Sequence, residues 1–207
     1  MGTTTVLVRR ALAFELGMYR SLYRWVRRTP RGGAEGGQPF GYAAAVVPVF
    51  WLFIGMSALE VVVVHLLLPW RSVQLVLLVL GIWGLVWMVG MLASLNVHPH
   101  TVEDGGLRVR YSTSVDILVP WSSIATVRNL RRDAPSVRAI HVEEADNGVV
   151  LKIGVGGETN IDVALRAPMV LEAPRVDGRP VTAIRFLADD ARGLVARARE
   201  RAGSALP

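Results

Sequence analysis

Two long apolar segments, residues 42–68 and 73–95, constrain the fold of this chain more than any other feature. At about 1.5 Å per residue, a helix formed by either segment is longer than the roughly 30 Å hydrocarbon core of a bilayer. Only four residues, 69–72, separate the segments, so the two helices must run antiparallel. The sequence therefore predicts a transmembrane helical hairpin over residues 42–97.

The distribution of arginine predicts the orientation of this hairpin. Residues 1–41 carry seven arginines and two glutamates, whereas the turn between the spans carries one arginine, Arg71. Because arginine is enriched on cytoplasmic flanks, we expect the N-terminus and residues 98–207 in the cytoplasm and the turn outside. The prediction is a multi-pass protein of the cell (plasma or inner) membrane with both termini cytoplasmic. No cleavable signal peptide is predicted, because charged residues interrupt the first apolar stretch.

Residues 1–28 have the periodicity of an amphipathic helix. Apolar and aromatic side chains fall on one face, and Glu15 projects from the middle of that face. Such a helix is typical of segments that lie on a membrane surface, where arginine is attracted to anionic lipid headgroups. A Gly- and Pro-rich stretch up to residue 41 predicts a flexible linker. The predicted membrane-surface residues are Arg9, Arg10, Arg20, Arg24, Arg27 and Arg28.

Residues 98–207 have the pattern of an antiparallel β domain. Short runs of alternating apolar residues are separated by turn signals, of which Asn147-Gly148 is the strongest. Residues 168–180 predict a long loop, and Asp189-Asp190 precedes a final amphipathic helix. The predicted strands lie at 99–103, 107–111, 115–119, 123–129, 138–143, 149–153, 159–165 and 181–187.

Two stretches of this region resemble the opening of bacterial pleckstrin-homology-like (PH-like) domains. One reads EDGGLRV at 103–109, and the other reads ILVPWSSI at 117–124. PH-like domains of this kind often follow two membrane helices, as here. The resemblance implies an α+β membrane protein: an amphipathic N-terminal helix, a transmembrane hairpin, and a C-terminal PH-like antiparallel β-barrel with a closing α-helix. It implies no catalytic residue.

Glu60 is the single acidic residue within the predicted spans. A carboxylate in hydrocarbon costs roughly 2–3.5 kcal/mol on insertion scales, so an acid at this depth is a candidate site. Three interpretations stay open: a polar contact to a membrane partner, a proton or transport site, and a protonated or snorkelling side chain with no further role. Two helices cannot enclose a conduction path, so transport would require an oligomer.

Four arginines cluster around a predicted strand end and the loop that follows it. They are Arg128, Arg131, Arg132 and Arg138. Guanidinium groups bind phosphate and carboxylate well, so we predict contact with lipid headgroups or with an acidic partner. The alternative is a solvated loop whose charge is balanced by Asp133, Glu143 and Glu144.

Several kinds of chemistry are not predicted. The chain contains no cysteine, which excludes disulfides, thiolate metal sites and cysteine nucleophiles. His98 and His100 lie where the second span ends. No further His or Cys is nearby and Glu103 is the one candidate for a third ligand, which favours interfacial loop histidines over a metal site. Residues 154–157 lack the lysine and the following helix of a phosphate loop. We therefore predict no catalytic residue, no metal, no cofactor and no enzymatic activity.

Together these patterns predict a non-enzymatic, membrane-anchored binding or scaffolding protein. The PH-like domain is expected to recruit or regulate a protein partner at the cytoplasmic membrane face. Expected partners are anionic lipid headgroups and a membrane protein or a second copy of the chain. Nucleic acid is not expected, because the excess positive charge sits in the N-terminal arm and not on the folded domain. The alternatives are an accessory or oligomeric subunit of a transporter or channel, and a lipid-headgroup-binding module.

Overall fold

A computed structural model describes residues 3–27, 37–133 and 139–202, with side chains from residue 15 onward in the first range. The described residues form four α-helices, nine β-strands and one short 3-10 helix. The helices are α1 (Thr3–Val26), α2 (Val47–Leu67), α3 (Arg71–Val97) and α4 (Ala191–Ala202). The strands are β1 (Gln38–Phe40), β2 (His100–Val102), β3 (Gly106–Tyr111), β4 (Val115–Pro120), β5 (Ile124–Asp133), β6 (Ile140–Ala145), β7 (Gly148–Ile153), β8 (Glu158–Val170) and β9 (Pro180–Phe186).

Helices α2 and α3 form the predicted hairpin. With 21 and 27 residues, both are long and apolar enough to cross a membrane. Their large apolar side chains, such as Leu52, Phe53 and Leu80, are mostly exposed, as expected of helices that face lipid. The two helices approach closely at Gly81, where an added Cβ would collide with the side chain of Val61.

The nine strands form two sheets. The first is antiparallel, with strand order β1-β2-β3-β4, and the second has the order β5-β8-β9-β7-β6. The second sheet is mixed, because β9 inserts between the consecutive strands β7 and β8 and runs parallel to β7. In the described part of the chain, neither sheet closes into a barrel. The predicted closed antiparallel barrel is therefore corrected to two sheets, one of which contains a parallel pair.

The strands lie close to their predicted positions, with two differences. Strand β1 falls in the stretch predicted as linker; Pro39 and Phe40 pair with Thr101 and His100 of β2. Strand β8 continues to Val170 and so shortens the predicted loop. The polypeptide before the hairpin thus joins the same sheet as the polypeptide after it.

One hydrophobic core lies between the two sheets and α4. It contains Val109 and Val119 from the first sheet, Ile161 and Ile184 from the second, and Leu194 from α4. Helix α4 buries the apolar face that the sequence predicted for it and leaves Arg192, Arg199 and Arg201 exposed. The helix is thus part of the core and not an appendage to it.

Replacement of Leu194 tests this role of α4. Leu194 is completely buried, so Leu194→Asp should unfold the β domain, since an unpaired buried charge costs several kcal/mol. Ala196→Asp places the same charge on the exposed face of the same helix and should leave the melting temperature nearly unchanged. The measurement is thermal unfolding of the purified full chain in detergent. Equal melting temperatures for the two variants would show that α4 does not hold the core together.

Candidate functional site

The C-terminal end of α3 is buried in the β domain. At about 1.5 Å per residue, 27 residues extend roughly 10 Å beyond a 30 Å hydrocarbon core, so the last turns must be covered by protein. Leu95 packs into a second core with Tyr42, Ala43, Val155 and Leu187. This junction, defined here as the contact between the end of α3, residues 41–46 and the β domain, joins the helical hairpin to the sheets.

A buried polar chain runs through the junction. The Ser94 hydroxyl donates to the Met91 carbonyl at 2.8 Å and lies 2.8 Å from the Ser112 hydroxyl, which is then the donor to Ser94. The Ser112 amide donates to the Tyr42 hydroxyl at 2.8 Å. Ser112 has a φ of 49°, a conformation unusual for a residue with a side chain, and these bonds hold it there. Because its groups are bonded to one another, the chain can be buried without a large desolvation cost.

His100 is the aromatic centre of the junction. Its ring lies 4.9 Å from that of Tyr42 and 4.5 Å from that of Phe186. Its Nδ1 accepts from the Arg110 amide at 3.2 Å, and its Nε2 lies 2.9 Å from the Leu187 carbonyl. Only Nε2 can donate to that carbonyl, so the imidazole is the neutral Nε2–H tautomer. Complete burial lowers the pKa of His100 to about 4, with a smaller contribution from the Arg110 charge.

The structure buries both histidines that the sequence placed at the membrane exit. His98 donates from Nδ1 to the Ser94 carbonyl at 2.9 Å, so both rings serve the junction. Among residues 15–27, 37–133 and 139–202, no three His, Asp or Glu side chains come together as a metal cluster. Both histidines are therefore buried in protein; His98 lies in the bend after α3, as predicted, whereas His100 belongs to β2 and not to a loop.

Asp189, just before α4, forms hydrogen bonds with the polypeptide just before α2. Its carboxylate accepts from the Ala44 amide at 3.1 Å, and its amide donates to the Gly41 carbonyl at 2.8 Å. Partial burial raises the pKa of Asp189 above its usual range. An added Cβ at Gly41 would lie 2.7 Å from the Asp189 carboxylate, which explains why a glycine occupies this position.

Helix α1 packs against α3, a contact that the sequence did not predict. Met18 is buried against Gly90, and Trp83 Nε1 donates to the Tyr19 hydroxyl at 3.2 Å. Gly17 lies against Thr113 in the β3–β4 turn, so α1 touches the hairpin and the β domain together. Amphipathic periodicity could not reveal this, because it is the same for a helix covered by lipid and one covered by protein.

The predicted membrane-surface arginines are only partly described. Arg20 on α1 and Arg27 just after the helix are exposed, and Arg24 is half-buried. Arg27 stacks over the ring of Tyr23, 4.8 Å from its centroid. The side chains of Arg9 and Arg10 and the whole of Arg28 lie outside the described residues. Their contact with anionic lipid stays a prediction.

Glu60 lies on the rim of a groove between α2 and α3. The groove has a volume of about 450 Å³, and the Glu60 side chain is exposed. Small residues open the groove: Ser57 comes from α2, and Gly84 on α3 has no neighbour within 4 Å of an added Cβ. An acid at this depth therefore borders a space that a side chain from another helix could fill.

The predicted arginine cluster does not share one set of partners in the structure. Arg131 Nη2 lies 2.6 Å from Glu158 Oε1, and Arg132 is exposed beside it on β5. Arg128 is opposite Asp162 on the neighbouring strand. Arg138 lies outside the described residues.

Two of the acids expected to balance the cluster are used elsewhere. Glu143 binds Lys152 and Arg185, and Glu144 binds Arg179. Of the three acids that were expected to balance the charge of the arginine loop, only Asp133 is still available for that role.

Comparison with protein-family models, with curated proteins and with solved structures finds no match to this chain. The functional argument therefore rests on the junction, the Glu60 groove and the arginines of β5.

The buried His100 predicts an acid-sensitive β domain. Its pKa is lower in the folded chain than its usual value of 6.5, so between about pH 4 and 6.5 the unfolded chain binds more protons. Folding stability should therefore fall as the pH drops from 7 to 5, by about 2 kcal/mol from this residue. Asp189, whose pKa is raised, acts in the opposite direction, so the comparison must be made between variants.

The measurement is denaturant unfolding of the full chain in detergent at the two pH values. His100→Gln should be less stable at pH 7 and should lose much of the pH dependence. His141→Gln removes an exposed histidine of β6 and should leave the pH dependence unchanged. An unaltered dependence in His100→Gln would contradict the neutral buried imidazole.

Proposed function

We propose that the chain is a non-enzymatic, membrane-anchored binding or scaffolding protein whose β domain recruits or regulates a protein partner at the cytoplasmic membrane face. The observation that carries the proposal is the junction. Attachment alone would need only a flexible linker. Here α3 continues into the domain, and Leu95 and the Ser94–Ser112–Tyr42 chain fix the domain relative to the hairpin. Such a connection suits a domain that presents a surface in one orientation.

The proposal includes a PH-like origin for the β domain. Two packed sheets followed by a C-terminal helix that enters their core support it, together with the residues at 103–109 and 117–124. The parallel pairing of β7 with β9 departs from a simple antiparallel arrangement. The fold carries no activity with it, because one fold supports many functions.

The proposed location is the cell membrane, with two passes and both termini in the cytoplasm. The excess of arginine before α2 over the turn supports this orientation. The β domain and α1 then lie on one side of the membrane, as their contact at Gly17 and Thr113 requires.

Glu60 supports a partner within the membrane, either another protein or a second copy. A helix with a hydrogen-bond donor at the depth of Glu60 could enter the groove and satisfy the carboxyl group. The same groove is the observation behind the alternative, an accessory or oligomeric transporter subunit. In that case the carboxyl group would have to exchange a proton or bind an ion.

Substitution of Glu60 separates these functions. A membrane partner should purify stoichiometrically with the wild type and with Glu60→Gln, which keeps hydrogen bonding, and should be largely lost with Glu60→Leu. Met56→Leu alters an exposed residue outside the groove and should keep the partner. Chemical crosslinking in native membranes before mild detergent extraction provides the readout.

Absence of any stoichiometric partner in the wild type, or full retention by Glu60→Leu, would contradict the intramembrane contact. A transporter subunit makes a different prediction. Ion flux into vesicles should then fall in both Glu60→Gln and Glu60→Leu, because neither side chain can release a proton.

A further inference from the structure

Glu60 lies deep within the hairpin. It comes seven residues before Leu67, so about 10 Å of helix separates it from the turn end of α2 and about 20 Å from the start at Val47. Side chains of a helix lean toward its N-terminus, which for α2 is the end that packs against the β domain. The Glu60 side chain therefore leans away from the nearer membrane surface and into the hydrocarbon.

The hairpin itself supplies no partner for this carboxyl group. In the described part of the chain, no residue forms a hydrogen bond or an ion pair with Glu60. Residues 47–70 and 72–97 contain no lysine or arginine that could neutralise it. Because hydrocarbon offers no water in place of a partner, a polar group at this depth is stabilised by bonds from another helix.

The groove beside Glu60 has room for such a helix. Ser57 lies one helical turn before Glu60 and lines the same groove, whose volume is about 450 Å³. On the opposite wall, Gly84 has no atom within 4 Å of an added Cβ, so the α3 backbone is open to close approach. Glycine and serine allow the backbones of two membrane helices to approach and to pack tightly.

A second copy of the chain meets these requirements with no further residue. Two copies inserted in the same direction are related by a two-fold axis along the membrane normal, so each residue and its equivalent lie at the same depth. A carboxyl group that holds its proton both donates and accepts a hydrogen bond, so Glu60 is complementary to its own equivalent. A different protein would have to supply a polar residue at that one depth.

We infer that two copies of the chain form a dimer through the Glu60 groove, with the two Glu60 carboxyl groups hydrogen-bonded to each other near the two-fold axis. This deepens the proposed function and rests on it for the placement of the hairpin in the bilayer. The two-fold axis puts both β domains on the same side of the membrane. The dimer therefore presents two recruiting surfaces, and a partner that engages both binds more tightly than to either one alone.

The absence of cysteine allows a single dye on each chain. Ser72→Cys, at the turn, carries either a donor or an acceptor in the purified full chain, reconstituted in phosphatidylcholine liposomes that contain no other protein. We expect energy transfer that decreases on dilution with lipid and on addition of unlabelled chain. Nanodiscs that each hold one chain provide the reference without transfer.

Substitution of Glu60 tests the hydrogen bond between the copies. Glu60→Gln should keep the energy transfer, because an amide also donates and accepts. Glu60→Leu should raise the apparent dissociation constant of the dimer about tenfold, the effect expected for loss of an interhelical hydrogen bond.

Two glycines provide a matched test of the groove. Neither Gly84 nor Gly55 has an atom within 4 Å of an added Cβ, so the hairpin should tolerate leucine at both positions. Gly84 lines the groove, whereas Gly55 lies outside it. Gly84→Leu should therefore abolish the energy transfer, and Gly55→Leu should keep it. Equal melting temperatures of the two variants would show that both fold.

Oxidative crosslinking identifies the face of α2 that meets the second copy. Ser57→Cys, on the groove side, should form a covalent dimer when the liposomes are treated with copper phenanthroline. The control is Val62→Cys, an exposed position about 200° around the helix from Glu60, which should crosslink far more slowly.

Absence of energy transfer in the wild type, or transfer that Glu60→Leu and Gly84→Leu leave unchanged, would overturn the inference. Monomers in liposomes, together with Glu60-dependent capture of a different protein in native membranes, would overturn the second copy as the occupant and keep the intramembrane contact of the proposed function. A Glu60-dependent dimer that recruits no other protein would support the inference and contradict the scaffolding role.

Discussion

The length of α3 is the constraint on which the rest of the structure depends. The helix is about 10 Å longer than the hydrocarbon core, so its last turns emerge as an apolar surface that water cannot cover favourably. Three parts of the chain cover them: residues 41–46 before α2, the β domain after α3, and α1. The second core joins α3 to residues of the β domain such as Val155 and Leu187, so the domain takes its orientation from the helix.

Polar groups at the junction add directionality to this packing. Apolar contacts at Leu95 alone would tolerate rotation about the helix axis, whereas the bonds of Tyr42, Ser112 and His100 fix specific atoms. These bonds define one orientation of the β domain relative to the hairpin, and that is the property a recruiting surface requires.

The sequence predicted the parts of the fold that depend on local pattern. Run length identified the hairpin, and alternation placed most strands within a few residues. Pairing partners do not appear in such patterns, which is why the insertion of β9 between β7 and β8 was missed. Strand β1 was missed because Gln38–Phe40 is too short to alternate and follows a glycine-rich stretch. The burial of His100 could not be predicted from the sequence either, because the residues that it contacts, such as Tyr42 and Leu187, are distant from it in the sequence.

The central claim, that the hairpin and the β domain form one body, is tested most directly by a distance distribution. Nitroxides at Ser72→Cys, on the turn side of α3, and at Asp146→Cys, in the exposed β6–β7 turn, span the junction in the full chain. Double electron–electron resonance in nanodiscs should give a single narrow distribution, and insertion of two glycines after Val97 should broaden it. A distribution in the uninserted chain as broad as that of the glycine variant would contradict the account.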